Sequence, residues 1–245
     1  RFRAAATYSN GYVYVIGGYD GTNYQNTVYY GRVNADGTIS SWGTATNTLP
    51  ANRGFVSAGA ANGFLYAVGG YDGTNYQNTV YYARINPDGS PGTWTTNSNN
   101  IPTNRGQHTT VIANGYLYVM GGYDGTTYQS TVYYGLLDAS TGAVGAFTTN
   151  ATNVPASLSL HSSVIANGKV YVIGGYDDTN TVNTIYYATL NNDGSIGSWT
   201  TNATTLLGNR QMHSSFIVNG YIYAIGGYDG TTYQSTVWYA STARS

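Results

Sequence analysis

Three histidines, ten acids and a recurring set of arginines and tyrosines carry what chemistry this 245-residue chain has. His108, His161 and His213 recur at near-equal spacing. Three imidazoles converging from neighbouring strands would form a donor set for a divalent metal. Ala4 and Val56 fill the same place earlier in the chain, and no carboxylate accompanies the trio, so a packing slot also fits. Acid–base hydrolysis needs two carboxyl groups held across a cleft. All ten acids are Asp, and Asp20, Asp36, Asp72, Asp88, Asp124, Asp193 and Asp229 lie in turn contexts, where Asp accepts hydrogen bonds from nearby backbone. Asp138 and the Asp177-Asp178 pair are less regular. With no Cys there is no thiol nucleophile, thiolate zinc site or disulfide. No calcium loop ending in Glu and no phosphate loop is present. The residues left are Arg53, Arg105 and Arg210 with Tyr19, Tyr71, Tyr123, Tyr176 and Tyr228, types enriched at binding hot spots.

The elements that position these residues follow from internal repetition. Gly-Gly pairs fall at 17–18, 69–70, 121–122, 174–175 and 226–227. Upstream of each pair stand Arg1, Arg53, Arg105, Leu158 and Arg210, and nine residues later come Asn10, Asn62, Asn114, Asn167 and Asn219, each followed by Gly. The repeats therefore run 1–52, 53–104, 105–157, 158–209 and 210–245, within one domain. Asn-Gly favours the positive backbone angles of a tight hairpin turn. In the third repeat it joins a first strand, HTTVIA (108–113), to a second, YLYVMGG (116–122). A Tyr-Asp-Gly loop precedes a third strand, STVYYGLL (130–137). An Asp-Gly or similar turn then leads to a fourth strand marked by Trp42, Trp94, Phe147 or Trp199. The absence of Glu and a single lysine, Lys169, remove the usual helix formers. The pattern predicts an all-β propeller of five blades, the last stopping after its third strand, TVWYA (236–240).

Gly-Gly-Tyr-Asp-Gly, an aromatic pair such as Tyr29-Tyr30, and then Trp42, in five ordered copies that each carry several of these positions, resembles the kelch repeat over essentially the whole chain. The twelve residues from Tyr30 to Trp42 exceed the usual kelch spacing, which predicts an extended hairpin between third and fourth strands and looks like bacterial kelch-like surface proteins. The resemblance implies a kelch-type propeller. Kelch-related copper radical oxidases use a Tyr cross-linked to Cys, a chemistry excluded here. A kelch-type sugar mutarotase is the remaining catalytic reading, with no Glu to serve it. Two closures are open at this point: five blades with one of three strands, or the terminal part of a larger propeller.

Strand alternation puts Arg1, Arg53, Arg105 and Arg210 on the same face as the Tyr-Asp-Gly loops and their second aromatics, Tyr24, Tyr76, Tyr128 and Tyr233. In kelch propellers this face is a common partner-binding surface. The expectation is a non-catalytic recognition module binding a protein, peptide or glycan there, without cofactor. The alternative is a structural subunit of a surface filament or sheath, self-associating through the open blade edge. With 8% charged residues and a net charge of −1, nucleic acid is not an expected partner. No apolar run reaches the roughly 20 residues of a membrane span. A Thr, Asn, Ser, Gly and Tyr surface points outside the cell.

Overall fold

Local chemistry makes the strands. A computed structural model of the chain describes residues 1–242; the last predicted repeat extends to 243–245, which lie outside the described residues. Blade one is β1 (Ala5–Ser9), β2 (Tyr12–Ile16), β3 (Val28–Val33) and β4 (Ile39–Thr44). Blade two is β5 (Ser57–Ala61), β6 (Phe64–Val68), β7 (Val80–Arg84) and β8 (Thr95–Thr96). Blade three is β9 (Thr109–Ala113), β10 (Tyr116–Met120), β11 (Val132–Leu136) and β12 (Thr148–Thr149). Blade four is β13 (Ser162–Ala166), β14 (Lys169–Tyr176), β15 (Thr181–Thr189) and β16 (Thr200–Thr201). Blade five has three strands, β17 (Ser214–Val218), β18 (Tyr221–Ile225) and β19 (Val237–Ser241). Each sheet follows chain order.

The tight turns are as expected. In blade four Asn167 has φ 49° and Gly168 φ 70°, the handedness that matches strand twist, and Ala166 pairs with Lys169 across it. The long hairpins also form. Bridges Ile85–Pro91 and Leu190–Ile196 prolong them beyond the two-residue fourth strands β8 and β16. Blade four departs from the others because Thr181 and Val182 replace the Tyr-Gln of its sister loops. Both are good strand formers, so β14 and β15 run on through Gly175–Val182 and Tyr176–Thr181 pairs past a bulge.

Backbone contacts divide the chain into two compact units. One comprises Arg1–Gly106, Gly115–Leu117 and Gly135–Phe147; the other Gln107–Asn114, Tyr118–Tyr134 and Thr148–Ser245. In the first unit β1 lies beside β5, and alternate residues from both blades, among them Tyr14, Ile16, Val28, Leu65, Tyr81 and Trp94, form the core. In the second, β9, β13 and β17 lie side by side, and Val164, Ile173, Leu206 and Ala224 are buried together. Blade five is the least covered. Ile225 is 37% exposed where Ile173, at the same register, is 0%, and Val237 is 53% exposed.

Candidate recognition site

The loops before the first strands and those between second and third strands meet at one end of each blade, as the alternation requires. Bridges Phe2–Tyr19, Gly54–Tyr71, Ser159–Tyr176 and Gln211–Tyr228 tie them. Within each Tyr-Asp-Gly loop the carboxylate is the organiser. Asp20 Oδ1 accepts from the backbone N–H of Thr22 and Asn23, and Gln25 donates to Oδ2 at 2.6 Å. Asp229 repeats the arrangement with Thr231, Thr232 and Gln234. Donated backbone hydrogen bonds hold both carboxyls below the ordinary carboxylate range. Asp138, accepting from Ser140 and Thr141, is pulled down to about 2. Asp177 accepts from the backbone of Thr179 and Asn180. These acids are turn-formers, each engaged by its own loop.

The tyrosines sit half-buried in two belts. In the first unit Tyr19 packs on Tyr24 (5.0 Å between ring centres), Tyr24 edge-on to Tyr71 (5.2 Å), and Tyr71 on Tyr76 (5.0 Å). In the second, Tyr123 packs on Tyr128 (4.9 Å) and Tyr128 on Tyr176 (5.5 Å). Tyr228 meets Tyr233 at 5.1 Å, and Tyr233 is 76% exposed. Ring edges and faces therefore weld one blade to the next while part of each ring faces solvent.

The arginines are placed differently from the display expected of them. Arg53, Arg105 and Arg210 are 2%, 1% and 4% exposed. Arg53 turns back into its own blade, donating to Thr79 Oγ1 and Tyr81 Oη at 2.8 Å each and to Asn52 O. Arg210 does the same with Thr236 and stacks on Trp238 at 4.0 Å. They brace the strand rather than offer a guanidinium. Arg1 makes the matching contacts with Thr27 and Tyr29 at an exposed position. Arg53→Ala is therefore expected to cost about 2–4 kcal/mol through the buried cavity and stranded hydroxyls, and Arg1→Ala less than about 1 kcal/mol. Thermal melts of the two variants check this; equal melting points would refute the bracing role.

The comparisons with known proteins agree with this architecture. The family model for the KLHDC2/KLHL20/DRC7 Kelch-repeats domain matches residues 90–245, and that for the Kelch motif matches residues 1–30. The chain belongs to the kelch-repeat family. A solved structure titled "Structure of YjhT" shares the fold, with a TM-score of 0.74 at 16% identity over 92% of this chain and 72% of that one. No curated protein matches. The fold is thus a kelch-type β-propeller of antiparallel blades, the last with three strands.

In this kelch chain two of the histidines, His161 and His213, bridge blades. His161 Nε2 lies 3.0 Å from Thr109 Oγ1 and His213 Nε2 2.7 Å from Ser162 Oγ, each hydroxyl also meeting a serine of the next strand. His108 is equally buried. Among the described residues no group of three or more His, Asp or Glu side chains is brought together to hold a metal: His108, His161 and His213 do not form one donor set, and His161 and His213 bond neighbouring blades instead.

One set of residues escaped the sequence reading. Two places after each leading Arg or Leu stand Arg3, Phe55, Gln107, Leu160 and Met212, all with φ between 51° and 61°. That left-handed backbone is costly for a bulky side chain. In the first unit Phe55 N–H donates to Arg3 O (2.8 Å), and the Arg3 guanidinium lies 4.2 Å over the Phe55 ring and donates to Tyr24 Oη. In the second, Leu160 N–H donates to Gln107 O and Met212 N–H to Leu160 O. Met212 is 43% exposed. The signal was available in the sequence. While the Asn-Gly turns and Gly-Gly pairs are copied in every repeat, this column reads Arg, Phe, Gln, Leu, Met, and its neighbours vary less.

Proposed function

We propose that the chain is a non-catalytic recognition module that binds a polypeptide partner at the loop end of its blades, acting outside the cell. The observation that carries this reading is the variable column. Five strained positions hold five different side chains while the Asn-Gly turns and Gly-Gly pairs of each repeat are copied, and strain of this kind collects where a surface has a task. Arg3 and Phe55 in one unit, and Leu160 and Met212 in the other, supply cationic and apolar contacts beside half-exposed tyrosines, a composition suited to protein interfaces. The turn acids, each engaged by its own loop, favour display over acid–base chemistry. The low charge and polar Thr and Asn surface support an extracellular or surface setting.

The test is selection from a displayed peptide library, followed by competition with Leu160→Asp and Met212→Asp. Selected peptides are expected to lose at least about tenfold in affinity, on the scale of an interface hot spot, with melting unchanged. Peptides that bind both variants as they bind the parent would overturn the reading. A second reading, a subunit of a surface assembly, is favoured by the exposed apolar residues of blade five: Phe216, Ile225, Val237 and Tyr239. It predicts oligomers in light scattering at micromolar concentration.

A further inference from the structure

Within each unit the half-buried tyrosine belt crosses a blade boundary. Tyr24 of the blade-one loop meets Tyr71 of blade two edge-on, 5.2 Å between ring centres, and Tyr128 of blade three meets Tyr176 of blade four edge-on at 5.5 Å. The main chain makes room for such rings. A Cβ on Gly54 would stand 2.5 Å from the Tyr24 ring, and one on Gly106 2.6 Å from Tyr76. Neither glycine has a positive φ, so close approach is what each is for. Lying on Gly54, edge-on to Tyr71, and with its hydroxyl accepting from Arg3 at 3.0 Å, Tyr24 is fixed on three sides. The small Ser159 holds the same column beside Tyr176.

The boundary between blades four and five, in the second unit, breaks the pattern. Thr181 stands where the loop's second aromatic should be, and Gln211 takes the column of Gly54 and Gly106. Both are buried, and Gln211 Nε2 donates to Thr181 Oγ1 at 2.9 Å. A ring over a small residue and an amide on a hydroxyl are thus alternative ties at equivalent places. Tyrosine pairs on the strands are wider, from 5.8 Å for Tyr171–Tyr187 to 6.5 Å for Tyr12–Tyr30. Tyr19 and Tyr24 of one loop are as close as the boundary pairs but tilted at 48°, whereas the boundary pairs stand at 74° and 66°. The edge-on arrangement aims the edge carbons of one ring at its neighbour. With no Cys in the chain, no disulfide can tie one blade to the next.

We propose that Tyr24–Tyr71 and Tyr128–Tyr176 are oxidative cross-linking sites, where a peroxide-class oxidant turns a ring contact into a covalent staple between blades. Each phenol gives up one electron and its proton. The two phenoxyl radicals join through the carbons beside their oxygens, and the hydrogens on those carbons pass to the oxygens as the rings regain aromaticity. The pair loses two electrons and two protons in all. The electrons break the O–O bond of the oxidant, and the protons pass to its reduced oxygens or to solvent. Partial exposure of each ring admits the oxidant. A bond between successive repeats closes a loop of nearly one repeat and so restricts the unfolded chain. The chemistry needs no partner and does not rest on the binding function proposed above.

The probe is persulfate with a photoexcited ruthenium tris-bipyridyl sensitiser, applied to the 245-residue chain in dilute solution. Oxidised monomer is then isolated and mapped by mass spectrometry. It is expected to show dityrosine fluorescence and linked peptides, lighter by two hydrogens, that join 24 to 71 and 128 to 176 and none that join 176 to 228. The stapled monomer should melt about 10 °C above the parent, the scale of such a loop closure in a chain of this size. The double variant Tyr24→Phe, Tyr128→Phe keeps both rings, so it should melt with the parent before oxidation and lose both links after it. The proposal is overturned if links stay within one loop, as from 19 to 24, or if the stapled protein melts with the parent. Tyr8, Tyr233 and Tyr239 are 62%, 76% and 70% exposed. Links formed chiefly through these, between molecules, would overturn it too, since exposure and not the built contact would then direct the coupling.

Discussion

Gly121→Ala is expected to destabilise its unit by about 3–5 kcal/mol, while Gly226→Ala, the same change at the equivalent position, should cost about 1–2 kcal/mol. Both glycines have positive φ, 59° and 64°, so both alanines carry the strain of a left-handed backbone. Their surroundings differ. A Cβ on Gly121 would stand 2.6 Å from the Leu158 carbonyl oxygen and 2.8 Å from the His161 ring; on Gly226 its nearest neighbour would be Gln234 O at 3.4 Å. The Leu158 carbonyl cannot yield, because it accepts the Gly122 N–H at 2.7 Å and so joins blade three to blade four within the unit. The difference between the two variants thus isolates blade-to-blade contact from backbone strain. Denaturant melts of both check it, and equal losses would show that the close approach is not what the glycine is for.

Acidification should unfold the chain well above the pH at which carboxylates protonate. Burial, reinforced by the neighbouring His213, pushes the His161 imidazole down to about 3, and burial with Arg210 nearby pushes His213 down to about 4. Both rings are neutral in the fold and free to charge when unfolded, with an ordinary value near 6.5. Their contribution is complete above about pH 6.5 and is lost as pH falls from there toward 4 and 3, at about 1.4 kcal/mol per pH unit for each ring. By pH 5 the loss is about 4 kcal/mol. The turn acids act elsewhere on the scale. Asp20, Asp36, Asp88 and Asp193 have lowered pKa values from donated hydrogen bonds, so their stabilisation stays intact until pH falls into the usual carboxylate range and is lost from there downward. Melting temperatures at pH 7.5, 6 and 5 are the measurement. The double variant His161→Gln, His213→Gln should melt with a much flatter dependence over that interval; a parent protein indifferent to pH between 7.5 and 5 would refute the assignment.

What sequence alone determined about this protein is what local chemistry decides. Asn167-Gly168 and its four sisters prescribe a turn through the angles those residues tolerate. Tyr-x-Tyr alternation prescribes strands, and a lone Trp or Phe after the long hairpin marks the fourth. The kelch fold, the blade count and the three-stranded last blade follow from copies of those signals. The shared end of the arginine and tyrosine loops follows as well, from period-two alternation. Only tertiary structure decided what that end presents. Arg53 reads in sequence as a surface cation; its partners, Thr79 and Tyr81, are 26 and 28 residues on, and only the folded sheet brings them close enough to bury it. The histidines likewise look like a ligand set until neighbouring first strands supply Thr109 and Ser162 hydroxyls. Asn202-Ala-Thr204 copies Asn150-Ala-Thr152, and nothing local separates them. Asn150 is buried against Ile196 of the next hairpin, while Asn202 is half-buried and lines an open cavity. A side chain's burial depends on neighbours that pattern cannot name, because they arrive from distant repeats through packing rather than through the chain.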